Sequence, residues 1–191
     1  LFQPIVSIKQ KQILGFEALT RGIHYNPYTG DISLVPYASL YEQVLKRGNP
    51  VTFDRACRQA ALQAWKDIPP LSSPPLLFIN FDVSVLDRGV GGSGVFMKMV
   101  TDAGLEPHRI VIELVERSLN CMDDLVAFVQ TYRKQGFLIA IDDFGEGCSS
   151  VDRLVKIQPD IIKVSHAIFD VPHISASYRH SLISGLFSWI T

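Results

Sequence analysis

The chain has 191 residues, enough for one domain with a sizeable core, and 47% of them are hydrophobic, which excludes a disordered chain. Eighteen basic residues against nineteen acidic ones leave a net charge of −1, which offers no basic face for a long nucleic acid and no acidic tail. Cys57, Cys121 and Cys148 are odd in number and far apart, with no CxxC pair, so reduced thiols in a cytoplasmic setting are expected.

Short β-rich runs alternate with longer helix-like ones. Strands are predicted at 2–8, 13–19, 76–81, 110–115, 138–142 and 161–164. Helices are predicted at 36–47, 53–66, 93–104, 122–135, 149–157 and 175–190, with Gly48, Gly104 and Gly136 where helix C-termini should fall. Only KQKQ joins the first two strands, too short for a crossover helix, so they form an antiparallel hairpin. The rest reads as repeated βα units with nearly continuous apolar strands, an α/β fold with a parallel sheet, either barrel or open. The Pro/Ser-rich stretch at 68–75 reads as a loop inside one domain, and the glycine-rich 89–94 as a plain flexible loop, since it lacks the lysine of a P-loop. No apolar run reaches membrane-spanning length, and the first residues carry no secretory leader.

The position of the polar residues is more informative than their number. Glu17, Asn80, Glu113, Asp142, Asp143 and Lys163 each follow an apolar run, at or near the C-terminal end of a predicted strand. In parallel α/β folds that end carries the active site. Any one such acid, alone, reads as a solvated loop residue or a helix cap. As a set they are four carboxylates offset by one lysine, a cluster that repels itself unless cations enter. Two divalent cations would balance the four acids, Asn80 adds a neutral oxygen, and an all-oxygen donor set suits Mg²⁺ or Mn²⁺ better than zinc. Paired ions of this kind serve in-line attack on a phosphodiester.

The segments FQPIV at 2–6, EALTR at 17–21, FINF at 78–81, IELVERS at 112–118, IAIDDFGEGCSS at 139–150 and PDIIKVS at 159–165 resemble, in order, the motifs of EAL domains. The resemblance implies one partial EAL-type domain over 1–191, folded as a modified TIM (β/α) barrel with an antiparallel first strand. It implies metal-dependent hydrolysis of cyclic di-GMP to linear pGpG. Glu17, Asn80, Glu113, Asp142 and Asp143 match the family's metal ligands, and Lys163 the lysine that orients the attacking water. Gln3 and Arg21 match substrate-binding positions, and Glu116 a glutamate that steadies the loop after DDFG. The family also implies a homodimeric, cytoplasmic parent protein carrying other sensory or signalling domains, with a membrane anchor, if any, in another domain.

Several positions depart from the family pattern. Glu146 and Cys148 replace a threonine and an aromatic in the DDFG loop, and Ser165 replaces an aspartate, with His166 beside it as a surface or packing residue. The family pattern continues after the helix at 175–190 with an EGVE-like strand and then a QG-like one, and neither occurs within residues 1–191. The chain is therefore expected to be a piece lacking the final two strands, with little activity of its own. The alternative reading is a degenerate domain that acts as a cyclic di-GMP receptor or an interaction module.

Overall fold

The computed structural model describes residues 1–7, 10–69, 74–82, 94–115, 122–145 and 151–168, with 175, 177–178, 180–181 and 184–185. Within these residues the chain folds as a curled, six-stranded, mostly parallel sheet with helices on its outer face. The strands are β1 (Phe2–Ser7), β2 (Gln12–Ala18), β5 (Leu76–Asp82), β6 (Ile110–Val115), β7 (Leu138–Phe144) and β8 (Ile161–Val164), hydrogen-bonded in that order. β1 runs antiparallel to β2, and every later pair is parallel. This is part of a barrel wall: the parallel pairs follow the βα repeats and the antiparallel start follows the short KQKQ connection, while the curl is what the family resemblance implied.

The alternation of side chains builds two apolar layers. Leu77, Ile79, Phe81, Ile110, Ile112, Leu114, Ile139 and Ile141 point outward. They meet helices α2 (Pro50–Trp65), α3 (Val95–Asp102) and α4 (Met122–Lys134) through Leu62, Phe96, Val100, Leu125 and Phe128. The opposite face carries a smaller cluster, Phe78, Val111 and Ala140, with Ile5, Leu76, Leu138 and Ile161 packed against it. Burial on both faces is why these strands read as unbroken apolar runs. On that inner face, the residue two positions after each apolar one is polar: Phe78 leads to Asn80, Val111 to Glu113, Ala140 to Asp142 and Ile161 to Lys163.

Two glycines matter to this arrangement. A Cβ at Gly15 would lie 2.5 Å from the Leu76 carbonyl oxygen and 2.8 Å from Cε2 of Phe78, so only glycine lets β2 seat against β5 two residues before Glu17. Gly48 ends α1 (Tyr37–Arg47) in the left-handed region at φ 76°, its amide donating to the Val44 carbonyl at 3.0 Å. Helix α2 begins at Pro50, three residues earlier than the sequence pattern implied, because Pro is preorganised for the first helical position. At the far end of the sheet, Arg133 of α4 donates to the carbonyls of Ile157 and Gln158 at 3.2 and 2.6 Å. That clamps the turn between α5 (Val151–Ile157) and β8.

One element was not anticipated from the sequence. β3 (Gly22–Tyr25) and β4 (Ile32–Val35) form a separate two-stranded hairpin. Each strand has only four residues, too few for alternation to register as a signal. The hairpin leans on α1 at Gly22, where a Cβ would lie 2.8 Å from Cδ2 of Leu40. No helix among the described residues is long and apolar enough to cross a membrane. Most of 89–94 and most of the predicted helix at 175–190 lie outside the described residues.

Candidate functional site

Four strands deliver one side chain each to a single point. The ammonium Nζ of Lys163 on β8 lies 2.9 Å from Oε2 of Glu17 on β2, 2.8 Å from Oε1 of Glu113 on β6 and 3.0 Å from Oδ1 of Asp142 on β7. The three acids each present an oxygen within 4.8 Å of the others. Asn80 on β5 sits directly opposite Glu113 in the β5–β6 register, and its Nδ2 donates to Oε1 of Glu17 at 3.2 Å. Strand register accounts for this convergence. Asn80 lies opposite Glu113, but Glu17 lies opposite Phe78 and Glu113 opposite Ala140, so the polar positions step along the strands by two residues from β2 to β5 and again from β6 to β7. That stagger, with the tilt of barrel strands, carries them to one mouth.

Asp142 and Asp143 do not share that position. The β7–β8 register slips between Ile141 and Phe144, and Asp143 takes a left-handed φ of 50°. Such a bulge turns successive side chains off the simple alternation. Asp142 stays in the cluster, whereas Asp143 is exposed and outside the acid trio. Gln3 pairs with Glu17 across the β1–β2 hairpin and is exposed. Arg21 is half-buried, and its Nη1 donates to the Thr20 carbonyl at 2.8 Å. Ser165 is buried, its amide bonded to the Phe144 carbonyl at 3.0 Å and its Oγ accepting from the Ala167 amide at 3.1 Å, so it secures the end of β8. His166 is exposed. Glu116, Glu146 and Cys148 lie outside the described residues.

The electrostatics of the cluster are unbalanced. Glu113 is 0% exposed, and among the described residues neither of its oxygens accepts a hydrogen bond of good geometry. Its compensation is the Lys163 ion pair, which the Lys163 geometry permits at contact distance. Burial pushes the Glu113 carboxyl up to about 8; Lys163 opposes the rise, and the charge on Glu17 adds to it. Burial alone would lower the Lys163 pKa, but the charge of Glu113 at contact distance, with Glu17 and Asp142, outweighs it and holds the ammonium protonated. With all three acids ionised, three carboxylates against one ammonium leave two negative charges, the charge of one divalent cation.

A cavity of about 190 Å³ opens beside this cluster, reaching Asn80 and Asp142 on one side. Its other walls include Thr20, Arg21 and Tyr37 together with Asp54 and Arg58 of α2 and Asp82 at the end of β5. The Asp54 carboxylate and the Arg58 guanidinium form a buried ion pair, and Arg58 stacks 4.1 Å from the centroid of Phe81. Burial raises the Asp54 carboxyl to about 6, against the pull of Arg58. Sequence reading missed Asp54, Arg58 and Asp82. The i, i+4 spacing in FDRACR was visible, but such a pair on a helix is ordinarily a solvated one.

A family model described as the EAL domain matches residues 1–186. This chain belongs to the EAL domain family. It is 29% identical to YkuI, an uncharacterised EAL-domain-containing protein of Bacillus subtilis, over 96% of this chain and 44% of that protein. It is also 29% identical to PdeI of Escherichia coli, named a probable cyclic di-GMP phosphodiesterase, over 86% of this chain and 21% of PdeI. Among solved structures, the complex of Klebsiella pneumoniae BlrP1 with calcium and cyclic di-GMP superposes with a TM-score of 0.78 at 27% identity, covering 97% of this chain and 44% of that one. A manganese complex of BlrP1 gives the same TM-score. The chain thus spans less than half the length of YkuI, PdeI or BlrP1. EAL domains therefore include proteins seen with cyclic di-GMP and Ca²⁺ or Mn²⁺ bound, and one named as a probable phosphodiesterase.

Proposed function

We propose that this EAL domain belongs to a metal-dependent phosphodiesterase that opens cyclic di-GMP to linear pGpG, and that the present residues supply its cation-binding wall. The observation that carries the reading is the convergence of Glu17, Asn80, Glu113, Asp142 and Lys163 at one point of the barrel mouth. The site fits a hard divalent cation. A fully buried carboxylate without a good hydrogen bond, two further acids within reach and a surplus of negative charge call for one, and oxygen donors suit Mg²⁺ or Mn²⁺ better than zinc. Glu17, Glu113 and Asp142 would hold it, with the side-chain oxygen of Asn80 turned toward it. Asp143, next in the chain, would have to join Asp142 to hold a second. When bound, such ions acidify water and stabilise the charge that develops on phosphoryl oxygens.

The chain's own groups have distinct tasks in this reading. Lys163 stays protonated and presents N–H donors at the meeting point of the carboxylates, where it would orient a water or a phosphoryl oxygen. Arg21, on the wall of the adjoining cavity, would exchange its Thr20 contact for a phosphate, which its planar fork suits. Tyr37 and the apolar wall of Ala18, Leu19 and Ile79 would cover a planar base, while Asp54 and Arg58 offer an acceptor and donors to its edge. Gln3 lies across from Glu17 at the open edge of the sheet, within the same mouth.

The test is turnover of cyclic di-GMP by the full-length protein with Mn²⁺, read as pGpG. Glu17→Gln is expected to lower the rate by about a hundredfold or more while leaving the fold intact. Tight nucleotide binding without hydrolysis would replace this reading with that of a receptor. Neither binding nor hydrolysis by the folded protein would remove it.

A further inference from the structure

We infer that Lys163 is a built-in competitor for the cation: its ammonium sits on the same three carboxylates that would ligate the ion, so it sets the site's affinity for divalent metal in addition to any part in the chemistry. This rests on the metal-dependent reading above. The geometry is specific. Nζ lies at 2.8–3.0 Å from Glu17, Glu113 and Asp142 at once, and those acids come from three other strands. These are the same three residues whose oxygens cluster within 4.8 Å. Glu113 is fully buried and has no other cationic partner among the described residues, so the ammonium is what its charge meets there. A dication that enters must share or take these oxygens, and it must do so beside a like charge.

Two consequences follow from that placement. First, Lys163 stabilises the converged carboxylates in the fold, because three acids from three strands repel each other without a cation between them. Second, it weakens the metal site. Even in bulk water, two unit charges at contact distance interact by an amount equal to roughly a fivefold change in an equilibrium constant, and a dication squares that factor to about twenty-five. The half-buried cluster strengthens this effect, so removal of the ammonium is expected to tighten Mn²⁺ binding at least tenfold.

The experiment compares Mn²⁺ affinity of the wild type, Lys163→Met and Lys163→Arg by calorimetry and by Mn²⁺ electron paramagnetic resonance, at one fixed pH and without nucleotide. Lys163→Met is expected to bind at least ten times more tightly and to show a larger rise in melting temperature on adding Mn²⁺. Lys163→Arg keeps the charge and should stay within about threefold of the wild type. If Lys163→Met does not fold without Mn²⁺, Lys163→Gln, which keeps a polar group without the charge, takes its place and is expected to show the same gain of at least tenfold. Equal or weaker binding by Lys163→Met, or equal gains by Met and Arg, overturns the inference; a merely structural lysine predicts weaker binding. The outcomes separate from those of the proposed reaction: a wild type that binds Mn²⁺ but does not turn over cyclic di-GMP removes the phosphodiesterase reading alone. A wild type with no affinity for Mn²⁺ removes both.

Discussion

The buried acid Glu113 gives the most exacting test of the site's electrostatics. Replacing it with Gln keeps the shape and removes the ionisable group. Burial raises its folded-state pKa from 4.5 to about 8, so between those values the folded chain binds more protons than the unfolded one. The corresponding stability is fully present below about pH 4.5 and is lost as the pH rises through about 8. At about 1.4 kcal/mol per pKa unit, the interval from pH 5 to pH 8 carries a slope worth about 4 kcal/mol. Urea denaturation in a chelating buffer at several pH values checks it. Wild type should lose stability relative to Glu113→Gln as pH rises across this interval. Added Mn²⁺ should reverse the order at high pH, because the cation favours the ionised acid. A stability difference that is flat to within about 1 kcal/mol would refute the argument that burial, rather than the Lys163 pair, dominates at Glu113.

Two further perturbations test how the scaffold holds the site. Gly15→Ala places a methyl 2.5 Å from the Leu76 carbonyl, which cannot move aside, so it should cost about 2–3 kcal/mol in urea denaturation and weaken Mn²⁺ binding through Glu17; a cost below about 0.5 kcal/mol would show that β2 and β5 can separate freely. Arg58→Met leaves the Asp54 carboxylate buried without its partner, an expected loss of about 3 kcal/mol at neutral pH, and adding Asp54→Asn should recover part of it. With Asp54 already near 6, that loss should shrink as the acid protonates, and a pH-independent deficit would assign it to packing on Phe81 instead.

The central strands β5, β6 and β7 were legible because each is buried on both faces and bounded by a turn or a helix. The antiparallel start followed from loop length alone, since four residues cannot make a crossover. The hairpin at 22–35 was illegible because its strands are too short to show a period, and their apolar face is not part of the core. Asp54 and Arg58 were illegible for a different reason: an i, i+4 acid–base pair has the same spelling whether it faces water or a cavity. The difference between Asp142 and Asp143 could not be read either, because it depends on a slip in the β7–β8 register.

The sequence by itself determined which residues could meet, because a polar residue ending an inward-facing apolar run must project from the same end of a parallel sheet as its counterparts on the other strands. Only the tertiary structure decided which of them do meet and in what balance. Register and curl bring Glu17, Glu113 and Asp142 onto one ammonium, while the bulge leaves Asp143 exposed. The charge state of Glu113 is likewise tertiary in origin, because desolvation depends on what surrounds a carboxylate and not on its neighbours along the chain.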